Sequence, residues 1–269
     1  MMDSDPDRWA EELAEKWRHY TPPSRPSASE VEIYEKYFHE VPEGGSVLIL
    51  GSTAEFRDLA AKYKLRVVLC DWSEKNMEAL GLLMKEEPHQ EVFSEQDWRE
   101  MDFPEKFDLI VGDAALTVVS FEDVEKVAGR ISSLLKEEGV SLQRVWIREG
   151  NTPPTVEEMV ERYGREPGDV DTYGWMIMPL FMCTYHYEGE WGTGTEMMEW
   201  LDKLKEEGKI PEGLWEGMEH IRAHNAKTNV PLKGTVEGYL KKYFEIIGVE
   251  HGNDHFSADT PIYVLKRKI

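Results

Sequence analysis

Short apolar runs that alternate with helical patterns are the feature that most constrains the fold of this chain. The runs at 47–50, 66–70, 107–111 and 142–147 are separated by segments with apolar residues at helical spacing. Strands that are apolar on both faces and joined by helices are typical of a mostly parallel sheet with helices on both sides. We therefore predict an α/β fold with a doubly wound sheet.

The last part of the chain breaks this alternation. A helix is predicted from Thr235 to about Phe244, and the apolar runs at 246–249 and 261–265 follow with no helix between them. Two consecutive strands without a crossover helix pair antiparallel. We expect the C-terminal strand to run against the others, and we expect the helix that begins after Ser120 to end at Gly139.

Three regions follow from these patterns. Residues 1–43 are predicted to form N-terminal helices, one at 5–19 and one that begins near Ser29. Residues 44–149 and 235–269 supply the sheet. Residues 150–234 lack the alternation and contain short helix signals, so we interpret them as a helical insertion that caps the substrate site.

Gly51 and Asp71 close the first two strong strands. A turn of small residues at the end of a strand lets backbone N–H groups approach a ligand, and an acid on the next strand can accept the hydroxyls of a ribose. The pair indicates an adenosine-containing cofactor.

Charge and cysteine content limit the partners and the compartment. The net charge of -22 makes nucleic acid and anionic membranes unlikely partners, because both need clustered Lys and Arg. The two cysteines lie far apart, and the acidic start of the chain does not resemble a signal peptide. We expect a cytoplasmic protein without a membrane span, and we make no prediction of its oligomeric state.

The order of these motifs resembles the class I S-adenosylmethionine-dependent methyltransferases, whose fold is Rossmann-like. The resemblance covers about 44–148 and 235–269, and the motifs that carry it are VLILGST at 47–53, VVLCDWS at 67–73 and FDLIVGDA at 107–114. The reversed last strand is a fourth feature, which nicotinamide-binding Rossmann proteins lack. The resemblance implies a methyltransferase enzyme with S-adenosyl-L-methionine as its cofactor.

The resemblance also assigns cofactor-binding roles. Gly51, Ser52 and Thr53 would line the methionine part, and Asp71 would accept the ribose hydroxyls. The remaining contacts are Trp72 and Met77 on the two faces of the adenine, Asp97 and Trp98 at its edge, and Asp113 with Ala114 below the sulfonium.

The loop after the first strand departs from the pattern of the family. The second and third glycines fall on Thr53 and Glu55, and the acid that is common two residues before the first glycine is Ile49. Either Arg25 holds the carboxylate of the cofactor instead, or the site is degenerate.

The insertion contains the candidate residues for the acceptor. Aromatic and methionine side chains suit an adaptable apolar pocket, so a small-molecule substrate is predicted. A general base is needed only where the acceptor must lose a proton, and His186 is the candidate. The predicted substrate-binding residues are Tyr173, Tyr185, Tyr187 and Trp191.

Other classes of function were weighed. His220 with His224, and His251 with His255, are more typical of solvated positions than of a metal site, and no metal is predicted. Phosphate-loop and serine-hydrolase motifs are missing. A degenerate cofactor-binding or interaction protein without catalysis, and an NAD-dependent Rossmann oxidoreductase, remain as alternatives to the methyltransferase.

Overall fold

A computed structural model of the chain describes residues 22–150, 194–210, 215–216, 230–254 and 257–268. The described strands are β1 Ser46–Leu50, β2 Arg66–Asp71, β3 Glu91–Glu95, β4 Phe107–Asp113, β5 Leu135–Arg144, β6 Phe244–Glu250 and β7 Ile262–Arg267. The described helices are α1 Ala28–Glu40, α2 Ala54–Lys62, α3 Glu74–Gly81, α4 Phe121–Leu134, α5 Gly194–Glu206 and α6 Lys233–Tyr243.

One seven-stranded sheet in the order β3-β2-β1-β4-β5-β7-β6 forms the centre of the fold. The strands β1 to β5 pair parallel to one another. Strand β7 lies between β5 and β6 and is antiparallel to both. The predicted Rossmann-like α/β fold with a reversed C-terminal strand is therefore confirmed.

Helices cover both faces of the sheet because β1 is apolar on both sides. Leu48 and Leu50 pack in a cluster with the apolar residues of α4 and α6. Val47 and Ile49 point to the other face, where they pack with α1 and α2. Since side chains alternate across a strand, an uninterrupted apolar run is what a strand buried on both faces requires.

The end of α4 differs from the prediction. The helix ends at Leu134, and Gly139 lies within β5, where the pairing with β4 changes register between Phe107 and Leu109. A Cβ on Gly139 would lie 2.8 Å from the carbonyl oxygen of Phe107. The glycine therefore permits a close approach of two backbones in an irregular strand pair and does not end the helix.

The start of α1 is fixed by a capping box. The Ser27 side chain accepts from the Glu30 N–H at 3.2 Å, and the Glu30 side chain accepts from the Ser27 N–H at 2.7 Å. This arrangement satisfies two N–H groups that the first turn leaves without a partner. It also directs Glu30 inward, toward the carboxyl ends of the strands.

Candidate active site

Gly51 and Asp71 lie side by side at the carboxyl edge of the sheet, as the sequence predicts. Gly51 has φ +91° and donates its N–H to the carbonyl of Cys70 at 2.8 Å. Among the described residues, a Cβ built on Gly51 would come within 4 Å of Trp98 Cζ2, at 3.8 Å, and of Asp71 Oδ2, at 4.0 Å. The glycine thus leaves open space that the carboxylate and the indole border.

Asp71 is a buried carboxylate whose two oxygens are bound unequally. Oδ1 accepts from the Trp72 N–H at 2.7 Å and from Asn76 Nδ2 at 3.5 Å. Oδ2, which faces Gly51, accepts only a long bond from Ser52 Oγ at 3.5 Å among the hydrogen bonds of the described residues. Burial raises the pKa of Asp71, and these hydrogen bonds act in the opposite direction. Oδ2 is therefore the oxygen with capacity for a ligand hydroxyl.

Arg99 links the predicted adenine-contacting residues to one another. Its Nε donates to Asp97 Oδ1 at 2.9 Å. Its Nη1 donates at 3.2 Å to Oδ2 of Asp123, which lies at the start of α4. Its guanidinium lies 5.7 Å from the centre of the Trp72 ring, which is 51% exposed. The hydrogen bonds from Arg99 lower the pKa of Asp97. Arg99 was not identified from the sequence.

Trp98 and Met77 occupy opposite faces of the sheet. Trp98 donates its Nε1–H to the carbonyl of Cys70 at 2.7 Å and packs against the cluster formed with α4 and α6. Met77, on α3, is partly buried against the cluster formed with α1 and α2. The structure thus brings Trp98 to Gly51 and Asp71, and Met77 lies on the other side of the sheet.

Asp113 lies at the carboxyl end of β4 and is paired with a buried arginine. Arg144 Nε donates to Asp113 Oδ1 at 2.6 Å, and both side chains are almost completely buried. Burial raises the pKa of Asp113 to about 6, although the charge of Arg144 acts against this increase. Ala114 follows with φ +53° and donates its N–H to the carbonyl of Arg144 at 3.0 Å.

Arg144 also binds the segment that precedes α1. Its Nη2 donates to the carbonyl of Pro23 at 2.8 Å, and its Nη1 lies 3.5 Å from Glu30 Oε1. Glu30 further accepts from Thr260 Oγ1 at 3.2 Å. Sequence reasoning missed Arg144 and Glu30 as site residues, although a charged residue inside the apolar run at 142–147 was a signal.

Arg25 contacts the residue that takes the place of the third glycine. Its Nε donates to Glu55 Oε1 at 2.8 Å, and its Nη2 pairs with the same oxygen. Ser52 and Thr53, which precede α2, are buried. Glu55 Oε2 is buried without a hydrogen-bond partner among the described residues.

The predicted acceptor-binding residues Tyr173, Tyr185, Tyr187 and Trp191, and the candidate base His186, lie outside the described residues, as do His220, His224 and His255. Within the part of the chain that is described, no group of three or more His, Cys, Asp or Glu side chains could hold a metal ion. None of the described helices is long and apolar enough to cross a membrane.

One family model matches the sequence of this chain. Residues 49–139 match the sequence model of a family described as a methyltransferase domain. No curated protein matches the chain.

Several solved structures share the fold. The CcbJ methyltransferase from Streptomyces caelestis has a TM-score of 0.59 at 10% identity, with 98% of this chain and 100% of the other covered. A TehB-like SAM-dependent methyltransferase from Corynebacterium glutamicum has a TM-score of 0.51 at 12% identity over 97% and 100% of the two chains. A Rhodobacter sphaeroides protein, provisionally named as a Zn-dependent alcohol dehydrogenase, has a TM-score of 0.59 at 17% identity and covers 100% of both chains.

Proposed function

We propose that this chain is a class I Rossmann-like methyltransferase, as its match to a methyltransferase domain over residues 49–139 supports, and that it transfers the methyl group of S-adenosyl-L-methionine to a small-molecule acceptor. The observation that carries the proposal is the position of the matched domain. Its residues 49–139 contain Gly51 and Asp71, which together with Trp98 border an open space at the carboxyl edge of the sheet. Ligands of open α/β sheets bind at this edge.

The residues around this space fit an adenosyl ligand. Asp71 Oδ2 would accept the ribose hydroxyls, because its other oxygen is already bound by the Trp72 N–H. Trp72 and Trp98 would contact the adenine ring, and Asp97 would accept a hydrogen bond from its amino group. Met77 remains the predicted contact of the ring face opposite Trp72. When bound, S-adenosylmethionine supplies a methyl group that is already activated by a sulfonium.

Asp113 and Ala114 would form the mouth that faces the acceptor. Since Arg144 donates to Asp113 at 2.6 Å, this carboxylate is engaged in an ion pair and is not a good general base. An acceptor that must lose a proton would therefore use a base from another segment, and His186 in the insertion is our candidate. The insertion at 150–234 would supply the rest of the pocket through Tyr173, Tyr185, Tyr187 and Trp191.

The acidic composition supports a small molecule over a nucleic acid as the acceptor. With a net charge of -22, the chain lacks the excess of basic residues that contacts to a phosphate backbone need. The proposal includes a reducing, cytoplasmic compartment, because Cys70 is a buried free thiol.

Ligand binding tests the proposal first. A ligand at one hundred times its dissociation constant stabilises the native state by about 2.7 kcal/mol. We expect S-adenosylmethionine and S-adenosylhomocysteine to raise the melting temperature and NAD to leave it unchanged. A shift with NAD alone would replace the proposal by the oxidoreductase alternative.

Turnover tests the acceptor and the base. Release of S-adenosylhomocysteine is measured with S-adenosylmethionine as the donor and with small amines, phenols, thiols and carboxylic acids as candidate acceptors. His186→Ala should lower turnover of an acceptor that loses a proton at least tenfold, and His39→Ala, at the far end of α1, should not. Full turnover by the His186 variant would remove this residue as the base.

Binding without catalysis is the second candidate. Glu55 stands in the place of a glycine and pairs with Arg25, and Ile49 stands in the place of an acid, so the loop departs from the pattern of active relatives. Tight binding of S-adenosylmethionine with no methyl transfer to any acceptor class would favour this candidate.

A further inference from the structure

Asp113, Arg144 and Glu30 form a buried cluster in which one positive charge faces two carboxyl groups. Arg144 Nε donates to Asp113 Oδ1 at 2.6 Å, and Arg144 Nη1 lies 3.5 Å from Glu30 Oε1. The side chains of Arg144 and Glu30 are 0% exposed, and that of Asp113 is 3% exposed. Arginine keeps its proton in proteins, so the cluster holds one negative charge in excess when both carboxyl groups are ionised.

Asp113 is the member of the cluster whose charge can change. Glu30 is held as a carboxylate, because its Oε2 accepts from the Ser27 N–H at 2.7 Å and its Oε1 accepts from Thr260 Oγ1 at 3.2 Å. Burial raises the pKa of Asp113 to about 6, and the charge of Glu30 acts in the same direction. The excess negative charge is therefore present above this pKa and is cancelled by a proton below it.

The other described groups around Asp113 lie on α1 and α2 and leave this excess unchanged. Tyr34 donates its O–H to the carbonyl of Gly112 at 3.1 Å, and it is neutral because burial and the charge of Asp113 raise its pKa. The charge of Glu55 also raises the pKa of Asp113, and Glu55 is paired with Arg25. One neutral hydroxyl and one ion pair add no net charge to the cluster.

The cluster lies beside the space that the cofactor would occupy. Leu50 of β1 pairs with Gly112 of β4, so Gly51 and Asp113 follow on adjacent strands at the same edge of the sheet. The methyl donor has a positively charged sulfonium. When the methyl group leaves, the electron pair of the broken S–C bond stays on the sulfur, and the product is a neutral thioether. Because a charge acts more strongly in a buried site than in water, the excess negative charge of the cluster distinguishes these two ligands.

We propose that the excess negative charge of the Asp113–Arg144–Glu30 cluster makes the site prefer the cationic methyl donor to its neutral product, and that a proton on Asp113 cancels this preference. This inference rests on the proposed function. Glu30 is a positioning residue in this scheme, because it acts through the charge of the cluster and not through contact with the ligand. The same charge favours release of the product after transfer.

The dissociation constant of S-adenosylhomocysteine divided by that of S-adenosylmethionine measures the preference. Calorimetry gives both constants, and the adenosine, ammonium and carboxylate that the ligands share cancel in the ratio. Glu30→Gln removes one charge and keeps the capping box, because glutamine also serves at this position. Glu35→Gln is the matched control: it removes the same charge from the same helix, but Glu35 is partly exposed and pairs with Lys62.

The ratio should depend on Glu30 and on pH. At pH 7.5, Glu30→Gln should lower it about tenfold, the size expected for unit charges about 12 Å apart at an effective dielectric constant of about 20. Glu35→Gln should stay within about twofold of the wild type. In the wild type the ratio should fall between pH 7.5 and pH 5, as Asp113 takes up its proton. In Glu30→Gln it should change less, because Asp113 then lacks the neighbouring charge that favours this proton.

Two results would overturn the inference and leave the proposed function intact: a ratio that Glu30→Gln does not change, or a wild-type ratio that is constant from pH 5 to pH 7.5. A variant that binds both ligands equally more weakly has the first of these results, and Glu30 then has only a structural role. If the wild type binds neither ligand, the proposed function fails and this inference fails with it. The pH series uses the wild type alone, so it decides the question even if Glu30→Gln does not fold.

Discussion

Replacing Arg144 by methionine is the most severe test of the structure, because this one side chain balances two buried carboxylates. Its side chain and that of Glu30 are both 0% exposed. It donates to Asp113 at 2.6 Å and to the carbonyl of Pro23 at 2.8 Å. Methionine keeps the apolar stem of arginine and lacks the guanidinium group, so the change removes the charge and the donors while most apolar contacts of the stem remain.

The expected loss is large. Removing one partner of a buried ion pair costs about 3–5 kcal/mol, because the remaining charge stays buried without compensation. Domains of this kind have a total stability of about 5–15 kcal/mol, so the variant should retain a cooperative but weakened transition. Lys136→Met is the matched control: Lys136 also lies on β5 and pairs with an aspartate of β4, Asp108, but it is partly exposed. Exposed pairs contribute about 1 kcal/mol or less.

Urea denaturation at pH 8 and pH 6 measures the loss in the free energy of unfolding and tests whether an unpaired Asp113 charge causes it. Without Arg144, the pKa of Asp113 should rise above its value of about 6 in the wild type, which burial already raises. A group whose pKa is higher in the folded state than in the unfolded state stabilises the protein at low pH. This stabilisation is lost as the pH rises through the folded-state pKa. The deficit of Arg144→Met should therefore be smaller at pH 6 than at pH 8. A deficit below about 1 kcal/mol, equal at both pH values, would refute the assignment of a buried charge balance.

Three further predictions follow from the same edge of the sheet. Gly51→Ala and Gly44→Ala should each lower the free energy of unfolding by about 1–2 kcal/mol in urea denaturation, because both glycines have positive φ. Only Gly51→Ala should also lose affinity for S-adenosylhomocysteine in calorimetry, since its Cβ enters the space beside the ligand. Burial raises the pKa of Asp113 to about 6, so its proton stabilises the native state at low pH and this contribution, on the order of 2 kcal/mol at pH 4, disappears by pH 7. Urea titrations of Asp113→Asn should lack that part of the pH dependence. Arg99→Met should change the free energy of unfolding by no more than about 1 kcal/mol. It should reduce the preference for S-adenosylhomocysteine over its inosine analogue, because Asp97 loses the hydrogen bonds that orient it. An unchanged preference in competition binding would contradict this role of Arg99.

The sequence was sufficient for the features that depend on neighbouring residues. The strands β1 and β2 are apolar runs, and Gly51 and Asp71 follow directly from where those runs end. The parallel sheet and the reversed β7 follow from the presence or absence of a helix between strands. These features were predictable because local pattern and tertiary burial impose the same requirement on the same residues.

The charged partners of the site could not be predicted in the same way. Glu30 and Arg144 are separated by 114 positions and meet only because α1 packs against the ends of β4 and β5. Within the sequence, Glu30 has a sufficient local explanation as the last residue of a capping box, and this explanation is also correct. One side chain with two roles gives no sequence signal for the second role. Gly139 misled the prediction for a related reason, because a glycine after a helical run is typical of a helix end and of a close backbone approach alike.

The segment 22–30 and the carboxyl edge of the sheet depend on each other electrostatically. The segment supplies the carbonyl of Pro23 and the carboxylate of Glu30 to Arg144, and it supplies Arg25 to Glu55. Without the segment, Arg144 would keep only Asp113, and Glu55 would lose its cation. Without Arg144, the same segment would bury Glu30 with only hydroxyl and backbone donors among the described residues. Because an unpaired buried charge costs several kcal/mol, each side stabilises the other in this position. The charges that hold the segment on the sheet therefore lie at the carboxyl edge of the sheet, where the proposed cofactor site is.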